Sequence, residues 1–264
     1  MLETILTWFI IGVVAGYFMY TKVWPALQRR KKPFRRVHLD SSSKLTTEQY
    51  KKVALGAIYS EMTHAYINNL GTGLDKTYII STLLQSYWKL KNPTDAREKL
   101  AYLRDKGFRH YLPAVYRALM VDTPAEQETI LENIFQDEED LEKAYSQLQN
   151  LEETLPELLQ DDVIQGEKEI LKYGVIGWDC GRMVFLARLC YEARFISEAE
   201  TWKYIDAASE LARMTYPDWE SYAKSYVLGR AMWGGVTSGN RDVAAIAKYL
   251  LEMEESPWNQ LSWK

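Results

Sequence analysis

Apolar residues recur at steps of three and four along most of this chain, the spacing that lines up side chains on one face of an α-helix. Polar and turn-forming residues divide the pattern into segments. Thr46 or Thr47 can cap a helix running to about Asn68, and the Gly71 and Gly73 stretch ends it. Helices are predicted near Tyr78 to Leu90 and Thr94 to Lys106, punctuated by Asn92-Pro93, with Gly107 as C-terminal cap, then over Leu112 to Met120 and Pro124 to Phe135. Between Asp137 and Leu159, Leu141, Ala144, Leu148, Leu151, Leu155 and Leu158 follow a strict 3-4-3-4-3 spacing. Such a short seam, with Pro156 near its end, reads as an intramolecular helix hairpin rather than a dimer zipper. Further helices are predicted over 167–195, 198–214, 219–234 and 240–254; Ser197-Glu198-Ala199-Glu200 forms a capping box, and Asp218 and Asn240 are placed to cap the last two. No extended alternating segment calls for a sheet, and no repeat period is evident. The expected fold is all-α, a multi-helix globular domain preceded by a single transmembrane helix.

That membrane helix is read from Thr4 to Thr21, 18 uncharged residues between Glu3 and Lys22. At about 1.5 Å per residue they reach roughly 27 Å, close to the hydrocarbon thickness of a bilayer. Trp8, Tyr17, Tyr20 and Trp24 flank the run, as interfacial aromatics do. Acidic Glu3 ahead of it and Lys22-Val-Trp-Pro behind it do not fit a cleaved signal peptide. Gly12 and Gly16 make a GxxxG through which weak self-association is expected. The net charge of −4 is unevenly placed: residues 1–40 hold seven basic and two acidic residues, while the rest of the chain is acidic. Arg29, Arg30, Lys31, Lys32, Arg35 and Arg36 follow the span closely, which orients the N-terminus outside and the C-terminal domain in the cytoplasm, with anionic lipid headgroups as a partner. The acidic body argues against nucleic acid. The expected organisation is an anchor over 1–24, a basic juxtamembrane linker over 25–45 with a polar tether from Pro33 to Lys44, and a helical domain over 46–264.

The catalytic inventory is thin. With 47% hydrophobic and 26% charged residues the chain is an ordinary globular one, but it has three histidines, two cysteines, and no Gly-rich phosphate loop, HExxH or GxSxG. Cys180 and Cys190 fall on one predicted helix about 15 Å apart, beyond disulfide reach, and read as reduced, buried thiols. Glu61 and His64 form one ExxH without the second that a di-iron bundle requires. The acidic run Asp137 to Asp140 suits a helix N-terminus better than a metal. No cofactor and no metal are expected.

The distinctive residues are aromatic and arginine-rich. Trp178, Asp179, Arg182 and Arg188 lie on one predicted helix, Trp219, Tyr222, Tyr226, Arg230 and Trp233 on another, where the four aromatics share a face that is either core or groove. Asp179 is a candidate buried carboxylate, with Arg182 at i+3 and Arg230 across the helices as partners. Two tryptophans in the last seven residues, Trp258 and Trp263, predict a tail that packs back on the domain.

These segments carry a resemblance. GWDCGRMVFLARLCYEARFISEAETW, DWESYAKSYVLGRAMWGG and SPWNQLSW, with the earlier YWKLKNPTDAREKLAYLRDKGFRHY, resemble the bacterial family known as domain of unknown function 1266, over about residues 50–264. The resemblance implies bacterial origin, hence an inner-membrane location for the anchored protein, and a helical domain; it brings no catalytic residues. The functional expectation is a membrane-anchored cytoplasmic interaction or scaffold module with a protein partner. The alternative is an enzyme or small-anion-binding protein using an Arg/Asp pocket between the 167–195 and 219–234 helices.

Overall fold

The computed structural model describes residues 37–264. The anchor read at Thr4 to Thr21, its Gly12 and Gly16, and the basic cluster Arg29 to Arg36 lie outside the described residues. Among the described residues no helix is long and apolar enough to cross a membrane.

Every regular element described is helical: α1 (Thr47–Val53), α2 (Ala57–Thr63), a π-helix (Tyr78–Tyr87), α3 (Pro93–Asp105), α4 (Leu112–Leu119), α5 (Pro124–Ile134), α6 (Glu138–Gln160), α7 (Lys168–Tyr173), α8 (Ile176–Glu192), α9 (Glu198–Thr215), α10 (Trp219–Gly234), α11 (Asn240–Glu252) and α12 (Pro257–Gln260), with short 3-10 turns between them. Local chemistry sets most starts. Thr46 and Ser197 close capping boxes with Gln49 and Glu200, while Asn92, Thr123, Asp137, Asp218 and Ser256 each accept a backbone N–H of the first turn.

Several boundaries differ from the sequence expectation. The segment expected as one helix to about Asn68 is α1 and α2 with the Ala54–Gly56 3-10 turn between them, and it ends at Thr63, where His64 turns left-handed at φ 61°. The 167–195 segment is two helices, parted where Gly174 adopts φ 58°. Asn240 does not cap α11 from outside; it is the first helical residue, and its side-chain amide donates to the Gly235 carbonyl at 3.0 Å. Residues 37–45, expected as tether, pack on the domain. Val37 is buried, the Asp40 N–H donates to Asn68 Oδ1 at 2.8 Å, Asn68 Nδ2 returns a bond to the Asp40 carbonyl at 2.9 Å, and Asn69 Nδ2 donates to the Asp40 carboxylate at 2.6 Å. Polar side chains thus add to the burial of Val37 in holding that segment.

Helix α8 is the axis of the domain. Every residue from Gly177 to Cys190 is buried, with α9, α10, α3 and the Ala54–Gly56 turn packed around it. Its two thiols are free and buried, and burial pushes Cys190 up to about 12, so both are inert at neutral pH. On α10, Gly229 lets the helices close: a Cβ there would sit 2.3 Å from the Trp178 Cβ. The Leu-rich helix α6 buries Ala144, Leu148, Leu151 and Leu158 against α4 and α10, so its seam is spent within the chain. The C-terminal tail folds back: Trp258 stacks on Trp219 (5.2 Å between centroids) and donates to the Ala54 carbonyl, and Trp263 donates to the Tyr216 carbonyl.

Candidate functional site

The site grows from one buried carboxylate. Asp179, in the first turn of α8, is fully buried. Ahead of it in the chain, α3 ends and Gly107 takes φ 60°, turning the following residues so that their amides face α8. A Cβ at Gly107 would lie 2.2 Å from Asp179 Oδ2, so glycine is required by both conformation and space. The Phe108 N–H donates to Oδ1 at 2.9 Å and the Arg109 N–H to Oδ2 at 3.1 Å. Arg182 Nη2 reaches Oδ1 at 2.7 Å from one helical turn on, and Arg109 Nη1 reaches Oδ2 at 3.1 Å. Each carboxylate oxygen therefore accepts two bonds, and its charge also sits at the positive end of α8. Arg109 does a second job, donating to the Leu103 and Arg104 carbonyls that end α3.

The expected Arg182–Asp179 pair is present. The cross-helix cation on Asp179 is Arg109, not Arg230. Arg230 is placed over the rings of Trp233 (4.6 Å to centroid) and Trp178 (5.6 Å). Arg182 lies 4.7 Å from the ring centroids of both Phe108 and Trp178. The result is an alternating series, Phe108, Arg182, Trp178, Arg230, Trp233, in which rings and guanidiniums are stacked by cation–π attraction. It begins at the sealed Asp179 and ends at Trp233, which is 46% exposed. Tyr59 stacks between Phe185 (4.5 Å) and Trp88 (6.4 Å) beside this series, and Trp88 directly follows the ten-residue π-helix, a rare element. Burial raises the Tyr59 phenol, and the nearby Arg230 and Arg182 charges pull it part of the way back.

Arg188 does not belong to this group. Nine residues along α8 from Asp179, it lies about 13 Å further down the helix and is fully buried elsewhere. It donates to Ser60 Oγ at 3.0 Å and to the Leu70, Tyr66 and Gly71 carbonyls. Burial lowers it to about 10, with the Glu192 charge opposing the shift. Glu192 in turn accepts from the Thr72 N–H and hydroxyl, so the pair fixes the loop that follows α2. The predicted aromatic face also divides. Trp219, Tyr222 and Tyr226 are core, Tyr222 donating to the Leu55 carbonyl at 2.7 Å, while Trp233 alone of the four points outward.

Residues 83–263 match the family described as "Protein of unknown function (DUF1266)". The chain belongs to this family. The family match is narrower than the resemblance over 50–264: it begins inside the π-helix and leaves out α1 and α2, yet it contains Gly107, Arg109, Trp178, Asp179, Arg182, Arg230 and Trp233. The chain matches no curated protein and no solved structure. Phe108 and Tyr59 are members of the site that sequence reasoning did not single out, and Arg109 entered only with the residues that carry the family resemblance. The available signal was Gly107, read as a helix stop and as a residue of the family block but not as a glycine whose left-handed backbone re-aims the amides after it.

Proposed function

We propose that this protein is a non-catalytic interaction module of bacterial origin, held at the inner membrane through Thr4 to Thr21, with its helical domain in the cytoplasm and a protein as its partner. The observation that carries the non-catalytic part is the closure of Asp179. A carboxylate that acts on a substrate needs a free lone pair and an approach, whereas Asp179 is fully buried and already accepts four bonds. The contact surface includes Trp233, a large exposed ring beside Arg230, the residue types that dominate protein interfaces. The N-terminal residues contribute an apolar span and a basic flank, so orientation follows the positive-inside bias.

A reporter active only in the cytoplasm, fused after Lys264, is expected to be active, and protease added outside spheroplasts is expected to spare the domain; digestion from outside would overturn the orientation. A photo-crosslinker replacing Trp233 in the membrane-bound protein is expected to trap one discrete protein, and one replacing exposed Met214 is not. The enzyme reading returns if Asp179→Ala unfolds like the wild type but has lost its cellular activity.

A further inference from the structure

Buried hydrogen-bonding atoms in native proteins almost always have partners, so a concentration of exceptions at one place identifies something that the protein alone does not supply. Three such atoms belong to the Trp178 ring and to two side chains packed against it. Trp178 Nε1, Arg182 Nε and the Tyr226 hydroxyl are buried, and none has a hydrogen-bond partner among the described residues. Their side chains touch: the Arg182 guanidinium lies over the Trp178 ring at 4.7 Å, and the Tyr226 ring meets it edge-on at 5.1 Å. All three residues are more than nine-tenths buried.

The chemistry of the three atoms is of one kind. Indole N–H and guanidinium N–H only donate. The phenol stays protonated, because burial drives its ionisation well above the ordinary tyrosine value, so it too has a proton to give. One of the three donors belongs to a guanidinium, which Asp179 holds through Nη2. Arg182 is engaged at one nitrogen, Nη2 donating to Asp179, while Nε has no partner among the described residues. Arg230 also lies over the Trp178 ring, towards the exposed Trp233. Donors with no acceptors, one of them a guanidinium N–H, beside flat apolar rings fit an oxyanion.

We propose that Arg182 Nε, Trp178 Nε1 and the Tyr226 hydroxyl form a binding site for a small oxyanion, a phosphate or carboxylate group, reached past Trp233 and Arg230. The site is distinct from the Asp179 contacts and independent of the membrane-anchored interaction reading. Asp179 engages Arg182 through Nη2, and the ligand is taken by Nε without any covalent bond being made or broken.

Full-length protein in detergent is titrated with sodium phosphate or sodium acetate at constant ionic strength against chloride, and thermal unfolding is followed. In the wild type, Tm is expected to rise with the logarithm of anion concentration above a half-saturation point in the millimolar range or below, as a ligand of the folded state requires. A response to phosphate alone identifies a phosphate group, a response to acetate a carboxylate. Tyr226→Phe removes a hydroxyl that has no partner among the described residues, so its Tm in chloride is expected to equal or exceed that of the wild type, while its half-saturation point rises about tenfold or more. Tyr222→Phe, which loses the bond to the Leu55 carbonyl, is expected to unfold earlier in every buffer and to keep the wild-type anion response. The proposal is overturned if the wild type responds to neither anion up to about 50 mM. It is equally overturned if Tyr226→Phe responds as strongly as the wild type, since that pattern is the general stabilisation by excluded salts.

Discussion

Replacing Asp179 by alanine removes the acceptor of four hydrogen bonds at once. Two backbone amides, those of Phe108 and Arg109, lose their partner, and so does Arg182 Nη2, whose side chain is only 7% exposed. Arg109 suffers less. It is 18% exposed and keeps the Leu103 and Arg104 carbonyls, so the burden falls on Arg182 and the two amides. Removing one partner of a buried ion pair costs about 3–5 kcal/mol, and each orphaned buried amide about 1–3 kcal/mol, terms that overlap rather than add. Taking about 4 kcal/mol for the whole, and about 2–4 °C per kcal/mol for a domain of this size, Asp179→Ala should melt roughly 8–16 °C lower. Thermal or urea unfolding measures it directly. A sharper version adds Arg182→Met to Asp179→Ala: with the stranded charge replaced by an apolar chain, the double variant should be more stable than Asp179→Ala alone. If Asp179→Ala costs under about 1 kcal/mol, the carboxylate is not what secures Arg182 and the two amides in the fold.

Three further outcomes follow from the same contacts. Gly107→Ala should destabilise by more than about 2 kcal/mol, because a Cβ meets Asp179 Oδ2 in a left-handed backbone, and the penalty should shrink in the Asp179→Ala background; equal penalties in both would deny the clash. Ending the chain after Glu255 should lower Tm, since Trp258 and Trp263 each bury an indole worth several kcal/mol at about 25 cal/mol per Å² before ordering costs, and unchanged unfolding would mean that the tail contributes nothing to the core. At acid pH the Glu200–Arg97 pair between α9 and α3 should be felt. Arg97 first, then Ser197, hold the Glu200 carboxyl at about 2 against an ordinary 4.5, so its contribution is complete above pH 4.5 and lost as pH falls towards 2. Glu200→Gln should flatten the stability profile over that interval, and a profile as steep as the wild type's would mean that the pair contributes nothing to acid stability.

Helix positions were legible in the sequence because they are written locally. The Ser197 capping box, the Asp218 cap, the Asn92-Pro93 break, Pro124 at a first helical position and the three-and-four spacing in α6 each act within a few residues, and all appear where the chain predicts them. The i+3 pair of Asp179 with Arg182 was legible for the same reason. The fold-back of the tail was readable too, since two large indoles seldom remain in water when a core lies within reach. Tertiary structure decided the rest, wherever the partners are far apart in sequence. Arg109 reaches Asp179 across 70 residues, Arg188 finds carbonyls 117 to 122 residues away, and Arg230 goes to the rings of Trp178 and Trp233 instead of the carboxylate. Which cation meets a buried carboxylate depends on where the helices cross, and in this domain Gly229 and Gly107 set the spacing by admitting a ring and a carboxylate where any side chain would collide. Composition supplies the arginines and the tryptophans; only packing settles which of them share a site.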